Sequence, residues 1–467
     1  NTKFFQMKIN NICCIGAGYV GGPTMAVIAQ KNPDIIVNVV DMNSKKIEAW
    51  NSKNLDELPV YEPGLSKVIK EARGRNLFFS TDINKHIDEA DIIFISVNTP
   101  TKTSGEGKGY AADLKYIEAC AKQIAKVSKT NKIIVEKSTV PVRTSEKIKS
   151  IIKENNKNLE FQILSNPEFL AEGTAMRDLE VPDRVLIGGE DSTEGKKAIK
   201  SLVDIYLKWV PKENILTTNL WSSELSKLCA NAFLAQRISS INSLSELCEE
   251  TGADIEEVSK AIGMDTRIGS SFLKTSVGFG GSCFQKDILN LVYIARTLKL
   301  NKVADYWEQI LTINNHQRNR FSDKIIKCID KNNLEDKILL LGWAFKKNTN
   351  DSRESAAIYI SKNLLSNGIK IDIYDPRVDK NHIINDLNLM NSNFDINNVN
   401  VVKKPLKNIK KYNLIAIATE WDEFIDYDWN DVFNKIKKPA FIFDGRNILN
   451  KLEIQTIGFN YFSLGRK

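Results

Sequence analysis

A glycine pattern near the start of the chain limits its fold more than any other feature. An apolar run over residues 12–15 leads into Gly16-Ala17-Gly18-Tyr19-Val20-Gly21, and an apolar helical pattern follows. In such a strand–turn–helix unit, the first glycine permits the tight turn and the second lets a pyrophosphate approach the backbone. The third allows close helix packing, and the phosphates lie on the helix N-terminus. The pattern predicts a doubly wound α/β domain that binds a dinucleotide.

An acidic residue stands where such a domain needs one. The strand predicted over residues 35–40 ends in Asp41, at the distance beyond Gly21 that the fold requires. A carboxylate at this place binds a ribose 2′-hydroxyl and repels a 2′-phosphate. We therefore expect the cofactor to be NAD rather than NADP.

The pattern of the chain changes twice along its 467 residues, which are more than one hydrophobic core usually supports. Residues 1–218 alternate strand and helix, residues 219–330 are helical, and residues 331–467 alternate again. We expect two Rossmann-like doubly wound domains joined by a central helical domain, whose one long helix is predicted over residues 222–250. The last domain keeps only Gly342 of the fingerprint glycines and should not bind a second dinucleotide in the same way.

The carboxyl ends of parallel strands are where ligands of such sheets bind. Strands predicted over residues 92–97 and from residue 133 end in the runs Val97-Asn98-Thr99-Pro100-Thr101 and Glu136-Lys137-Ser138-Thr139-Val140-Pro141. In the last domain, Lys346 and Arg446 follow predicted strands, where basic side chains could hold phosphate. These loops are the expected ligand-binding edges of the two sheets.

A cysteine follows a second glycine-rich run. Gly280 and Gly281 lead to Cys283, and Asp287 comes four residues later. A helix predicted over residues 287–295 places Cys283 in its first turn, where unpaired backbone N–H groups stabilise a thiolate. Asp287 is expected on the same helix face. The alternative, a buried structural cysteine beside an acidic residue at a helix start, stays open on this pattern alone.

Two polar residues on the long helix form another candidate pair. Lys227 and Asn231 lie one turn apart among apolar or small neighbours. A lysine and an asparagine on one face are suited to stabilise a developing oxyanion. The alternative is a lysine at the rim of a helix with its charged end in solvent.

Composition excludes several classes of function. Seven cysteines, an odd number without framework spacing, favour a reducing compartment, so we expect a cytoplasmic protein. The uncharged residues 12–29 resemble a membrane span, but four glycines and Pro23 argue against one. The net charge of +7 comes from lysines scattered along the chain. They form no basic stripe interleaved with aromatic residues, so we expect no nucleic-acid partner. No metal site is expected.

These motifs resemble, in order and spacing, those of the UDP-glucose 6-dehydrogenases of eukaryotes, within the UDP-glucose/GDP-mannose dehydrogenase family. The resemblance covers nearly the whole chain. Besides the two glycine runs and the run from Glu136, it rests on Asn166-Pro167-Glu168-Phe169-Leu170-Ala171-Glu172-Gly173, Trp221-Ser222-Ser223-Glu224-Leu225-Ser226-Lys227, and Phe345-Lys346-Lys347 with Arg353-Glu354-Ser355. The chain departs from the expected pattern at Trp343, Asn348 and Asn350.

The resemblance implies an NAD-dependent four-electron oxidation of UDP-glucose to UDP-glucuronate, with two NAD reduced per turnover. Cys283 would carry the sugar as a thiohemiacetal and then as a thioester. Lys227 and Asn231 would stabilise the oxyanion, with Thr139 in the hydrolytic network. The resemblance leaves open how proton transfer divides among Lys227, Asp287 and Glu168.

The resemblance also implies the binding residues and the assembly. The cofactor set is Gly16, Ala17, Gly18, Tyr19, Val20, Gly21, Asp41, Lys46, Val97, Asn98, Thr99, Pro100, Thr101, Ser138, Thr139, Val140, Glu172 and Arg353. The substrate set is Glu168, Phe169, Leu170, Ala171, Glu172, Lys227, Asn231, Arg267, Lys274, Phe279, Gly280, Phe345, Lys346 and Arg446, with Arg267 reaching from a neighbouring subunit. Residues 1–218 would bind NAD, residues 219–330 would carry the catalytic cysteine, and residues 331–467 would bind the UDP-sugar. Family members form dimers through the central helix, and some assemble further into hexamers.

Two rival interpretations stay open. One is a dehydrogenase of the same mechanism that acts on GDP-mannose or a UDP-N-acetylhexosamine, although Phe284-Gln285 after the cysteine favours UDP-glucose. The other is a dinucleotide-binding sensor or scaffold without turnover. Such a protein would not need Cys283, Lys227, Asn231 and Asp287 together.

Overall fold

The computed structural model describes residues 8–390 and 394–466. The chain divides into two compact units. The first contains the residues up to Ala230 together with Leu289–Leu298, and the second contains Asn231–Ile288 together with the residues from Lys299 onward. Each unit is built around one sheet made mainly of parallel strands.

Eight strands form the sheet of the first unit. They are β1 (Asn11–Ile15), β2 (Ile36–Val40), β3 (Leu77–Ser80), β4 (Ile92–Ile95), β5 (Lys132–Glu136), β6 (Phe161–Ser165), β7 (Val185–Gly189) and β8 (Ile215–Asn219). Their order is β3-β2-β1-β4-β5-β6-β7-β8, and neighbours are parallel except β6 and β7. The first six strands follow the order of a dinucleotide-binding doubly wound sheet.

Helices cover both faces of this sheet, because its strands are buried on both sides. They are α1 (Gly21–Lys31), α2 (Ser44–Asn51), α3 (Leu65–Ala72), α4 (Ile83–Glu89), α5 (Lys115–Val127), α6 (Thr144–Asn155), α7 (Ala175–Glu180) and α8 (Thr193–Tyr206), with 3-10 turns at Leu55–Glu57 and Lys212–Asn214. Successive residues of β1 enter opposite core layers, so Cys14 packs in one and Cys13 in the other.

Strand register brings the predicted ligand loops to one edge of the sheet. Ile15 at the end of β1 pairs with Val40 and with Ile95, and Ile95 pairs with Glu136. The loops that follow these four strands therefore begin side by side. β4 is shorter than the predicted run over residues 92–97, because the chain leaves the sheet after Ile95 and enters the loop.

The central part of the chain contains two helices of equal length. These are α9 (Leu220–Thr251) and α12 (Asn301–Asn332), with α10 (Ile255–Gly263) and α11 (Phe284–Thr297) between them. α9 corresponds to the long helix predicted over residues 222–250. The pattern of the sequence did not predict α12, because part of its buried face is polar, including Asn314, Gln317 and Arg318.

The second unit carries a six-stranded parallel sheet. Its strands are β9 (Lys337–Leu341), β10 (Lys370–Tyr374), β11 (Val399–Val401), β12 (Leu414–Ile417), β13 (Phe441–Asp444) and β14 (Asn460–Ser463), in the order β11-β10-β9-β12-β13-β14. The helices are α13 (Ala356–Ser366), α14 (Lys380–Leu389), α15 (Asp422–Ile425), α16 (Trp429–Lys435) and α17 (Lys451–Ile457), with 3-10 segments at Ile396–Asn398 and Pro405–Lys411. Two Rossmann-like sheets and a helical central region confirm the predicted fold class. The three domain boundaries stay a prediction.

The second sheet repeats the first turn of a dinucleotide fold, including the contact of a strand-end aspartate with the turn. Gly342 donates its N–H to Tyr374 just as Gly16 donates to Val40 in the first sheet. Asp375 Oδ2 then accepts the N–H groups of Trp343 (2.7 Å) and Ala344 (2.9 Å). Trp343 is fully buried.

Candidate active site

The fingerprint loop between β1 and α1 has no room for side chains at two of its glycines. Gly16 has a φ of +111°, and a Cβ added there would lie 2.2 Å from the Ser96 carbonyl oxygen. A Cβ on Gly21 would lie 2.0 Å from the Gly16 carbonyl oxygen. A Cβ on Gly18 would meet nothing within 4 Å. The loop is therefore packed tightly beneath and open at Gly18, which suits the close approach of a pyrophosphate.

Asp41 is held beside this loop. Its carboxylate accepts the N–H groups of Ala17 and Asn43 (both 3.0 Å) and pairs with Lys46 (2.9 Å). Burial acts to raise the pKa of Asp41, but hydrogen bonds from Asn43 and Lys46 hold it below the usual value. An ionised carboxylate at this place suits a ribose hydroxyl. Lys46, a member of the predicted cofactor set, pairs with Asp41.

Two neighbouring loops at the same edge are joined by hydrogen bonds. Thr99 Oγ1 donates to the Thr139 carbonyl (2.9 Å), and Ser138 Oγ donates to the Val97 carbonyl (2.8 Å). The cofactor residues predicted at 97–101 and at 138–140 are therefore brought together. Tyr19 lies near Glu172, since its hydroxyl accepts the N–H of the adjacent Gly173 (3.4 Å).

A buried acid beneath these loops makes stability depend on pH. Burial, together with the like charge of Glu224, raises the pKa of Glu136 well above its ordinary 4.5. The folded state therefore keeps a proton that the unfolded state releases, so stability falls as pH rises above that value. Above the ordinary pKa of Glu136, the free energy of unfolding of Glu136→Gln should rise relative to that of the wild type by about 1.4 kcal/mol per pH unit. Urea unfolding from pH ~5 to ~8 tests this, and parallel curves would contradict it.

Glu168, predicted to handle protons, is tied to a lysine. Its Oε2 pairs with Lys137 Nζ (2.9 Å), and its Oε1 accepts the N–H groups of Phe169 (2.8 Å) and Leu170 (3.2 Å). Burial acts to raise the pKa of Glu168, but Lys137, the N–H of Phe169 and the charge of Lys227 together hold it below the usual value. The site prediction omitted Lys137. Its signal was a charged pair, Glu136-Lys137, directly after the apolar residues 133–135.

Lys227 is buried, so the alternative of a lysine at the helix rim is wrong. Its side chain extends from α9 over the ring of Phe169, with Nζ 5.1 Å from the centroid. Arg184 also stacks on Phe169, at 3.8 Å. The ring is thus fixed by two cations. Lys227, Glu168 and Phe169 come together as predicted, and Arg184 joins them without having been predicted. Ala171 donates its N–H to Asp178 (2.9 Å).

The second unit holds Cys283. The thiol is exposed and lies immediately before α11, not within the first turn as predicted, because the helix begins at Phe284. The Cys283 carbonyl accepts the N–H of Asp287 (2.9 Å), so the cysteine caps the helix through its backbone. Exposure also makes the structural alternative for Cys283 wrong.

Asp287 and Asn231 form a buried pair in the same unit. Asn231 Nδ2 donates to Asp287 Oδ2 (2.6 Å), and both residues are almost fully buried. The pair joins α9 to the first turn of α11. The contact fixes the direction of the Asn231 amide, which is the group predicted to stabilise an oxyanion.

The cysteine loop packs against the loop that follows β9. Gly281 donates its N–H to the Arg353 carbonyl (2.8 Å). A Cβ on Gly280 would lie 2.6 Å from the Glu354 carbonyl and 2.9 Å from Phe345 Cβ. Phe279 is buried behind them. The predicted substrate residues Phe279, Gly280 and Phe345 are therefore in one place.

The remaining predicted cations are dispersed over the second unit. Arg446 pairs with Glu420 (2.5 Å), and Arg353 is exposed and pairs with Asp351 (2.5 Å). Arg267 makes a bidentate contact with Asp265. The Lys346 ammonium lies 5.5 Å from the ring of Phe345, and Lys274 is exposed.

Across residues 8–390 and 394–466, no group of three or more His, Cys, Asp or Glu side chains is arranged to hold a metal ion. No helix in these ranges is long and apolar enough to cross a membrane. All seven cysteines lie in the same ranges and are free thiols.

Known proteins are similar to this chain over nearly its whole length. Models of the UDP-glucose/GDP-mannose dehydrogenase family match residues 10–210 (NAD binding domain), 221–316 (central domain) and 339–451 (UDP binding domain). The UDP-glucose 6-dehydrogenases of Gallus gallus and Mus musculus are 58% and 57% identical over 468 residues, which cover 99% of this chain and 94% of each relative. A UDP-glucose dehydrogenase structure from the archaeon Pyrobaculum islandicum aligns over 98% of both chains, with 27% identity and a TM-score of 0.83. The chain therefore belongs to the UDP-glucose/GDP-mannose dehydrogenase family and is an NAD-dependent oxidoreductase.

Proposed function

We propose that this protein oxidises UDP-glucose to UDP-glucuronate, with Cys283 carrying the sugar between two oxidations. The observation that supports the covalent route best is the exposed Cys283 thiol at the start of α11, one turn before the buried Asp287–Asn231 pair. The substrate is proposed because relatives more than half identical over their length carry that name.

The electrons and protons of this route balance in two equal stages. The C6 alcohol loses one hydride and one proton to become an aldehyde, and the Cys283 sulfur then adds to the aldehyde carbon. The thiohemiacetal loses a second hydride and proton to give a thioester. Water cleaves the thioester, which releases the carboxylate and returns the thiol. NAD, when bound, supplies the hydride acceptor in each oxidation.

The predicted catalytic residues have distinct roles in this scheme. Lys227 and Asn231 stabilise the oxyanion on C6, and Asp287 keeps the Asn231 amide oriented. Lys227 or a water held by Asp287 accepts the alcohol proton. Glu168 is an ionised, immobilised carboxylate, which suits it to orient water during hydrolysis.

The binding roles stay as predicted. NAD is held by the open backbone at Gly18, by Asp41 and by the loops of Thr99 and Thr139, which the geometry of the first unit suits. The residues proposed to bind the UDP-sugar include Phe169 in the first unit and, in the second, Phe345 and Arg446. The free thiols agree with the cytoplasmic location expected from the sequence.

The ratio of NADH formed to UDP-glucose consumed tests this function. Two NADH per sugar are expected, because an aldehyde held on Cys283 is oxidised before it leaves. GDP-mannose and UDP-N-acetylglucosamine serve as control substrates and should give little NADH. A ratio of one would contradict the covalent route, and turnover confined to a control substrate would assign the protein to another branch of the family.

We also propose that a second copy of this chain packs on α9. Phe233 and Leu247 are 57% and 58% exposed on this helix, and Tyr306 on α12 is 54% exposed. Large exposed apolar side chains on long helices are typical of interfaces. Leu247→Asp should shift the protein to monomers in light scattering. Leu452→Asp on α17, where the leucine is 76% exposed, is the matched control and should not.

A further inference from the structure

The charged side chain of Lys137 is buried in the interior of the first unit. It lies directly after β5 and is almost fully buried. Its ammonium donates to Glu168 Oε2 (2.9 Å), Asn166 Oδ1 (3.1 Å) and the Tyr206 hydroxyl (3.3 Å). An ammonium has three N–H donors, and these three acceptors account for all of them.

The acceptors of Lys137 are themselves fixed. Tyr206 on α8 donates its hydroxyl to Asn166 Oδ1 (2.7 Å), and Asn166 Nδ2 donates to the Leu186 carbonyl (2.8 Å). Burying a lysine is costly unless it is paired and hydrogen-bonded. The arrangement meets both conditions with side chains that follow two strands, β5 and β6, and one from helix α8, so the ammonium has one position.

Glu168 receives cations and hydrogen-bond donors from several elements around it, and the same cavity is lined by Asp178 of α7 and by Arg184. Lys137 approaches from β5, Lys227 from α9, and Thr24 from α1, where its hydroxyl lies 3.4 Å from Oε2. Tyr206 on α8 faces the pair through Lys137. Lys137 is the cation in direct contact, and it opposes the effect of burial on the carboxylate.

We propose that Lys137 is a positioning residue that keeps Glu168 an oriented, ionised carboxylate during thioester hydrolysis. Lys137 also precedes Ser138 and Thr139 in the chain, so the same contact anchors the cofactor loop. This inference rests on the proposed function. A purely structural ion pair would affect stability but not the ionisation of a group that turnover needs.

The test is the pH dependence of kcat in Lys137→Met. Glu168 is ionised above its folded pKa, which Lys137 holds low, so removal of the cation raises that pKa. The acid limb of the kcat profile should move up by roughly one to three pH units. KM for UDP-glucose should stay unchanged, and Glu168→Gln should remove the limb itself.

Lys132→Met is the matched control on the same strand. Lys132 is equally buried at the start of β5, but its ammonium donates to the carbonyls of Asp88 (2.6 Å) and Ala90 (2.7 Å) and to Thr130 Oγ1 (3.0 Å). This variant should lose stability and keep the wild-type pH profile.

The outcomes separate this inference from the proposed function. If wild type reduces no NAD with UDP-glucose, the proposed function fails before the variants are compared. If wild type turns over and Lys137→Met keeps its acid limb in place, Lys137 is structural only and the inference is wrong. Should the Met variant fail to fold, Lys137→Gln retains amide donors without the charge, and the same shift is expected.

Discussion

Replacement of Cys283 by serine is expected to lower steady-state oxidation of UDP-glucose by roughly 10³-fold or more, the cost of removing a catalytic nucleophile. A serine hydroxyl is far less ionised than a thiol, so it adds slowly to the aldehyde. An ester that does form is a poorer acyl donor than a thioester. Rates of NADH formation with saturating UDP-glucose measure the loss.

The control for this prediction is Cys229→Ser. Cys229 lies on α9 and is half-buried, and burial raises the pKa of its thiol, so it stays protonated. This variant should turn over like wild type. Mass spectrometry of quenched wild-type reactions should find the sugar on Cys283. A serine variant that forms two NADH per sugar at the wild-type rate would remove the covalent step from the mechanism.

The second large effect is expected from a methyl group at Gly21. A Cβ there would lie 2.0 Å from the Gly16 carbonyl oxygen and 3.2 Å from Cys14 Sγ. Backbone atoms cannot rotate away as a side chain can, so β1 and α1 must separate. Gly21→Ala should lose about 3 kcal/mol of unfolding free energy and bind NAD poorly, as measured by denaturation and titration calorimetry.

Gly18→Ala separates packing from binding. The added methyl meets nothing within 4 Å in the protein, so stability should be unchanged. It would stand where the pyrophosphate approaches, and NAD affinity should fall by about tenfold, or ~1.4 kcal/mol. Equal stability losses in the two variants would show that the loop is not packed as described.

Local chemistry explains which parts of the site could be read from the sequence. Gly16, Gly18, Gly21 and Asp41 were predictable, because a tight turn and a nearby carboxylate leave few choices of residue at fixed spacing. The run around Cys283 was predictable for the same reason. The start of α11 was placed too late, because Phe284-Gln285-Lys286 gives no capping signal of its own.

Contacts between distant residues were beyond the sequence. The Lys137–Glu168 and Asn231–Asp287 pairs join segments far apart in the chain, and a single sequence does not reveal which polar residues meet. β8 was missed because it is half-exposed and lacks an apolar run. α12 was missed because its buried face includes polar side chains, so periodicity hides its burial.

The loss of two fingerprint glycines after Gly342 bears on the timing of turnover. The second sheet keeps Gly342 but has Ala344 and Lys347 where the first sheet has Gly18 and Gly21, which leaves the loop at Gly18 as the fingerprint site for a dinucleotide. Under the proposed function, that one place must be vacated and refilled while the half-oxidised sugar waits. Tight retention of NADH would then limit throughput, and the bond to Cys283 would keep the sugar from leaving during the exchange. With NAD limiting, the half-oxidised sugar should accumulate on the protein rather than in solution, and free aldehyde in the filtrate would contradict this.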